Sequence, residues 1–466
     1  MTGTSTIAQT ASRPLSIDRP EDLVFGRAPR PVPCGLGLTV GDGRVYPELN
    51  FTLPVMTIDE TTWPEVLRHY EQIGQAIVRR ASALKVPGLV AEFEQLPAMT
   101  DRPQWGAEIT AVLKKHLTAL HDKTGIPVAL RVTVVDLRDA ERPPRLRHGR
   151  PWEKTREAFV CAAQAGADIL SIESIGGKEV HDEALMYGDL AGAIFALGCL
   201  GCRDMAWLWT EITAIARAHG IVSGGDTACG FSNTAMQLAG KGMLPDVLAA
   251  LDRAASAPRS LAAYENGAVG PSKDCAYEGP VVKAVAGCPI SMEGKSSSCA
   301  HFSPLGNIAG AAADLWSNES VQNIQLLSGP APEAFLELLA YDCRLFNTAA
   351  EHGQALQLRD WLVAGDVGAN PQALMLEPQT VIRLARAITG TAGGYERTLA
   401  AVRVAFEAIR QAAADGRLSL TPRESTWLQR FDGVLSACPE TEQEALARAR
   451  ETYGHLFLPE AYGLPA

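Results

Sequence analysis

Glu173, Cys229 and Cys275 combine residue type and spacing in a way that suggests chemistry. Each lies at or just past the end of a predicted strand, in SIESIGGKE, GGDTACGFSNTAM and GAVGPSKDCAYEG respectively. The separations of 56 and 46 residues are each one or two strand–helix units long, so the three loops are expected to be neighbours on one rim. Two thiolates and a carboxylate suit Zn²⁺. Three protein ligands also leave a fourth position for water or substrate, the catalytic rather than the closed structural pattern. Each cysteine alone also reads as a small buried packing group in a stretch rich in alanine and glycine.

Other candidates compete with this set. Cys299 and His301 in SSSCAHFSPLGN form a rival pair for a metal, or a loop that bonds its own backbone or a bound partner. Glu265 and Glu293 fall near predicted strand ends as candidate acids, although isolated carboxylates there also serve as caps. Glu92 and Glu94 alternate along one strand and face one side, where a barrel ordinarily takes apolar fillers. Cys199 and Cys202 make a single C-x-x-C in apolar surroundings and read as packing. The string MEGKSSS ends like a phosphate loop, but Pro289 stands where its first glycine is needed. Neither a G-x-S-x-G elbow nor an H-E-x-x-H pair is present.

Positioning these residues requires parallel strands alternating with helices. Strands are expected near residues 85–94, 127–137, 167–174, 220–227, 259–267, 288–294 and 323–329, each followed by a loop and a helical pattern. The rhythm fits a parallel barrel or a doubly wound sheet; we take the TIM-type (β/α)8 barrel, with the eighth strand unlocated. Residues 1–60, with prolines at 14, 20, 29, 32, 33, 47 and 54, read as an irregular arm. Residues 61–330 form the catalytic barrel, and 331–466, apolar at three- and four-residue spacing, a helical extension packed on it.

A chain of 466 residues, 47% hydrophobic and 20% charged, has ordinary globular composition. Its net charge of −11, without basic blocks, argues against nucleic acid and anionic membrane surfaces. The longest uncharged apolar run, residues 190–202, is too short to span a bilayer, and MTGTSTIAQTASRP is unlike an export signal. Ten cysteines are too few for a disulfide scaffold, so a cytoplasmic protein with free thiols is expected.

The strings ELNFTLP, GGDTACGFSNTAM, GPSKDCAYEGP, ISMEGKSSSCAHFSPLGN and AADLWSNES resemble the zinc-containing subunit of methanol:corrinoid protein methyltransferase. The likeness runs from the arm into the helical tail. It implies a barrel enzyme whose zinc is held by one glutamate and two cysteines, at positions matching Glu173, Cys229 and Cys275. It further implies a partner corrinoid protein that brings cobalamin over the barrel mouth, and an enzyme that self-associates within that assembly. Methanol is then the methyl donor and cob(I)alamin the acceptor. With two thiolates and a carboxylate around Zn²⁺, methanol is expected to bind as the neutral alcohol, leaving hydroxide to be stabilised by the metal or by a proton. Cys299 and His301 become candidate corrinoid or substrate-loop contacts. The same barrel acting on a methoxylated compound, or a noncatalytic corrinoid-protein scaffold, are the competing readings.

Overall fold

The computed structural model describes residues 14–465 except 54–55, 276, 300, 322–324 and 328. Two strands, β1 (Arg27–Cys34) and β2 (Leu38–Asp42), form an antiparallel hairpin. Seven more make one parallel sheet: β3 (Tyr46–Thr52), β4 (Leu89–Glu94), β5 (Val128–Val135), β6 (Ile169–Glu173), β7 (Val222–Gly225), β8 (Ser291–Glu293) and β9 (Leu315–Val321). Their order is β7-β6-β5-β4-β3-β9-β8.

The two edges of this sheet, β7 and β8, are joined by residues 269–275. Val269 N–H donates to Ser223 O at 2.9 Å on one side. On the other, Ser272 N–H donates to Pro289 O at 3.3 Å and Glu293 N–H to Asp274 O at 2.7 Å, and Cys275 bridges Met292. This irregular stave is the eighth that the sequence did not reveal. The stretch expected as a strand at 259–267 is instead largely the end of a helix, Asp246–Glu265, which continues through Pro258. Proline ordinarily interrupts a helix, so the sequence suggested a boundary where none exists.

Two further expectations need correction. Within 323–329, residues 322–324 and 328 lie outside the described set, and Gln325–Leu326 pairs with Gly329–Pro330 in a small hairpin off the barrel. The barrel strand there is β9, just upstream, and β3 lies inside the stretch read as an arm. Both were obscured because alternate residues are polar and face the lumen: Glu48 and Asn50 on β3, Ser317 and Glu319 on β9.

Alternation along the strands fills the lumen from the bottom upward. At the bottom, Tyr46, Val90, Ala129, Ile169 and Leu315 pack against Cys34, Leu38 and Val40 of the hairpin. The hairpin therefore plugs that end. Leu36 exchanges backbone hydrogen bonds with Val128, and Gly35 makes this possible: at φ +56°, an added Cβ would stand 2.2 Å from Val128 O. Above the plug the lumen is polar. Arg131 donates from Nε to Glu48 at 2.6 Å and from Nη1 to Ser171 at 2.9 Å and Pro271 O at 3.0 Å. The guanidinium thus ties β3, β5, β6 and the eighth stave together across the barrel.

Helices surround the sheet, and the tail is helical as expected, its longest members being Ala331–Glu351 and Gly394–Ala414. The apolar run at 190–202 belongs to a continuous helical stretch, Leu190–His219, long and apolar enough to cross a membrane by composition, yet 72% of its most apolar window is buried inside the protein. Replacing Arg131 with Met strands the Glu48 carboxylate without its charged partner. Urea unfolding of Arg131→Met should show a loss of about 3–5 kcal/mol, the usual cost of breaking a buried ion pair.

Candidate metal centre

Glu173 ends β6, Cys229 follows β7 and Cys275 closes the eighth stave, so they occupy adjacent positions around the mouth. One ligand atom from each lies within 4.8 Å of the other two. The cysteines are 7% and 5% exposed, whereas the Glu173 side chain is 42% exposed and faces the opening. The Cys229 and Cys275 sulfurs are in direct contact, in the arrangement of a disulfide, with Cα atoms 5.9 Å apart. Two thiols this close also form a claw for a soft cation. Glu173 favours the second use, because a disulfide has no need of a carboxylate oxygen and a metal ion does. The Thr227 hydroxyl supports the same fit, lying 3.1 Å from Cys229 Sγ and 3.4 Å from Cys275 Sγ, where it can donate to a thiolate.

The loops are held from behind by Arg259, a buried side chain of the helix Asp246–Glu265. Its Nη2 donates to Ser174 O at 2.9 Å and its Nη1 to Thr227 O at 3.2 Å, clamping the turns after β6 and β7 together. Asp226 accepts from Thr227 N–H at 2.6 Å and from Ser174 N–H at 3.2 Å. Burial pushes its carboxyl up to about 6 although Arg259 opposes the rise. Glu278 accepts from Ala228 N–H at 2.8 Å and from the Ser260 hydroxyl at 2.6 Å, linking the Cys229 loop to the turn beyond Cys275. Gly225 is required here: its φ is +120°, and a Cβ would stand 2.3 Å from the Tyr264 hydroxyl.

Lys273 supplies the local counter-charge. Its fully buried ammonium lies 2.7 Å from Asp274, 3.0 Å from Glu92 and 3.4 Å from Glu173, and also bonds Glu94. Glu92, Glu94 and Asp274 themselves form a compact carboxylate group. Burial pushes Glu94 and Glu173 each up to about 7, against the pull of Lys273. Asp274 moves the other way: burial opposes its charge, but Lys273 and Asn50 outweigh that and hold it low. The sequence marked Glu92 and Glu94 as an anomaly in the lumen; it gave no sign of Lys273, Arg259 or Glu278, whose partners meet only in the fold.

The remaining candidates separate. Glu293 and His301 meet Glu319 in a second group at the mouth. Glu265 does not join either group: it ends the Asp246–Glu265 helix and pairs with Arg397 at 2.9 Å, which removes it as an acid. Cys299 ends a short 3-10 turn, and its side chain lies outside the described residues. Cys199 is fully buried and Cys202 half-buried, in keeping with packing, and burial pushes the Cys202 thiol up to about 12.

A closed parallel barrel with two cysteines and a glutamate converging on its rim defines an α/β barrel with a candidate metal site. The chain belongs to the family described as methanol-cobalamin methyltransferase B subunit, whose sequence model matches residues 10–463. It is 38% identical over 452 residues to the methanol–corrinoid protein co-methyltransferase of Methanosarcina barkeri (strain Fusaro / DSM 804), covering 95% of this chain and 97% of that protein. The crystal structure of the methanol:cobalamin methyltransferase complex MtaBC from Methanosarcina barkeri matches with a TM-score of 0.92 at 36% identity, covering 97% of this chain and 99% of that one.

Lys273→Met keeps much of the side chain's volume and removes its charge, leaving four carboxylates around an apolar tip. Chemical unfolding of the metal-free protein should show a loss of about 3–5 kcal/mol. Stability equal to the parent would mean that the ammonium is not the group holding these carboxylates.

Proposed function

We propose that this protein is a methanol–corrinoid protein co-methyltransferase that moves the methyl group of methanol to the reduced corrinoid of a partner protein, and that Glu173, Cys229 and Cys275 hold the zinc ion it uses. The convergence of one oxygen and two sulfur donors within 4.8 Å on the rim carries the metal assignment. The match to a methanol:cobalamin methyltransferase complex over nearly the whole chain supports the substrate and the corrinoid protein as partner. Seven free cysteines among the described residues are in keeping with a cytoplasmic setting.

A zinc ion at this site supplies Lewis-acid polarisation of the alcohol oxygen. The protein's own groups do the rest. Cys229 and Cys275 present sulfur from a nearly dry floor, while Glu173 presents oxygen from the wet side, so a small alcohol enters over the carboxylate. Thr227 steadies the sulfurs by hydrogen bonding, and Lys273 fixes Glu173 from below. The plugged bottom and the packed lumen leave the mouth as the side from which a corrinoid can approach, and a partner seated there excludes bulk water from the transfer.

Cys229→Ala should keep the far-ultraviolet spectrum and cooperative unfolding of the parent, yet lose most of its zinc and nearly all methyl transfer from methanol to cob(I)alamin. Full metal content in that variant would remove Cys229 from the site. Turnover of methoxy-aromatic donors alone, with methanol inert in the presence of the corrinoid protein, would overturn the substrate.

A further inference from the structure

We propose that Glu293, His301 and Glu319 form a proton relay from the barrel mouth to the reacting alcohol, with Glu293 as the acid that turns the leaving oxygen into water. This deepens the reading above and rests on it. The relay begins with position. Around the rim the order is Glu173 on β6, Cys229 after β7, Cys275 on the eighth stave, Glu293 on β8 and Glu319 on β9. Glu293 is therefore the next lumen-facing group after Cys275, and its strand neighbour Met292 is bridged to Cys275 directly.

Its two carboxyl oxygens are in different situations. Oε2 accepts from the Tyr277 hydroxyl at 3.2 Å and faces His301 Nε2 at 3.3 Å. Oε1 is buried and has no hydrogen-bond partner among the described residues. An unpaired polar atom on a side chain only 1% exposed is costly unless something else uses it. A substrate hydroxyl is such a partner.

His301 connects this buried acid to solvent. Its Nδ1 lies in hydrogen-bond contact with Glu319 at 3.3 Å, and the Glu319 side chain is 35% exposed. The Nε2 contact to Glu293 is close but not aligned as a hydrogen bond, so a small turn of the ring completes the chain. The groups facing Glu293 are His301 from the loop after β8, Glu319 from β9, and Asp274 and Tyr277 from the eighth stave and its turn. Burial pushes Glu293 up to about 8, against the pull of His301, which keeps it protonated near neutrality. Burial opposes charge on His301, but its contacts with Glu293 and Glu319 outweigh that and raise the imidazole above its ordinary value.

The step balances. The C–O bond of methanol breaks with both electrons going to oxygen, and Glu293 gives its proton to that oxygen, so water leaves. The methyl carbon bonds to the reduced cobalt of the partner's corrinoid, which supplies the electron pair for the new bond. Glu293 is then a carboxylate, reprotonated by His301, which is recharged through Glu319.

The test uses zinc-loaded full chain with methanol and cob(I)alamin, with zinc content, pH profile and solvent deuterium effect read in parallel. Because Glu293 must be protonated, transfer by the parent should fall as pH rises through about 8. Glu293→Gln should retain zinc, lose that limb and transfer about a hundredfold more slowly or worse. His301→Gln, a second variant closer to the surface, should also slow transfer. It should move the limb to higher pH, because the imidazolium that lowers the Glu293 pKa is gone, and enlarge the solvent deuterium effect. A Glu293→Gln protein with full zinc and the parental rate, or a His301→Gln protein with parental rate and limb, overturns the relay. A zinc-loaded parent that cannot methylate cob(I)alamin from methanol refutes instead the function on which the relay rests.

Discussion

Two cations without solvent access, Arg131 and Lys273, carry the interior of this barrel. Between them they engage five carboxylates: Glu48 below, and Glu92, Glu94, Glu173 and Asp274 above. A barrel lumen is ordinarily packed with branched apolar side chains. Here charge replaces packing, and each buried carboxylate is affordable only while its partner stays in place. The excess of acid over base shows in Glu94 and Glu173, both pushed up to about 7, burial being the larger cause. On the proposed reading, a divalent ion at the mouth would supply the positive charge that the lumen lacks there.

The same interactions solve a topological problem. Residues 269–275 are too irregular to close the sheet by a full ladder, so side chains supplement the backbone. Arg131 reaches across the lumen to Pro271 O, and Lys273 anchors the stave to β4 and β6 through Glu92, Glu94 and Glu173. Closure and site assembly are thus one event: the segment that completes the barrel also delivers Cys275. Arg259 and Glu278 extend this logic outward by bonding loop backbone rather than one another.

How much of this was legible in the sequence follows from where polarity sits. β4 to β7 stood out because runs such as VALRVTVV carry β-branched residues on both faces. β3 and β9 did not, since their lumen positions are Glu48, Asn50, Ser317 and Glu319, and alternation with polar residues resembles a surface loop. Pro258 split one long helix into an apparent helix and strand. The placement of Glu173, Cys229 and Cys275 together survived that error, because the residues after the misread segment, 268–275, still climb the barrel wall to its rim. Lys273 and Arg259 were beyond reach: a lone lysine or arginine carries no periodic signal, and only the fold shows that it is dry and surrounded by acceptors.

The vertical arrangement of the lumen also fixes the direction in which chemistry can run. The hairpin seals the bottom with apolar side chains, the Arg131–Glu48 ion pair fills the middle, and among the described residues the lumen's unpaired acceptors, Asn50 Oδ1, Glu92 Oε2 and Glu293 Oε1, lie at that level or above it. On the proposed reading, sulfur donors lie on the dry floor of the mouth and the oxygen donor on its wet side, so the reacting alcohol is held between a polarising site and the acidic rim. Each group consumed in the transfer is then replenished from one side: methanol and protons arrive from the same mouth that the corrinoid protein covers. Covering it after the substrate has entered excludes water without isolating the acid, provided that Glu319, at the edge of the rim, stays in contact with solvent. The rim thus separates the two demands of the reaction, a dry cobalt–carbon encounter and a wet proton supply, by placing them on adjacent strands.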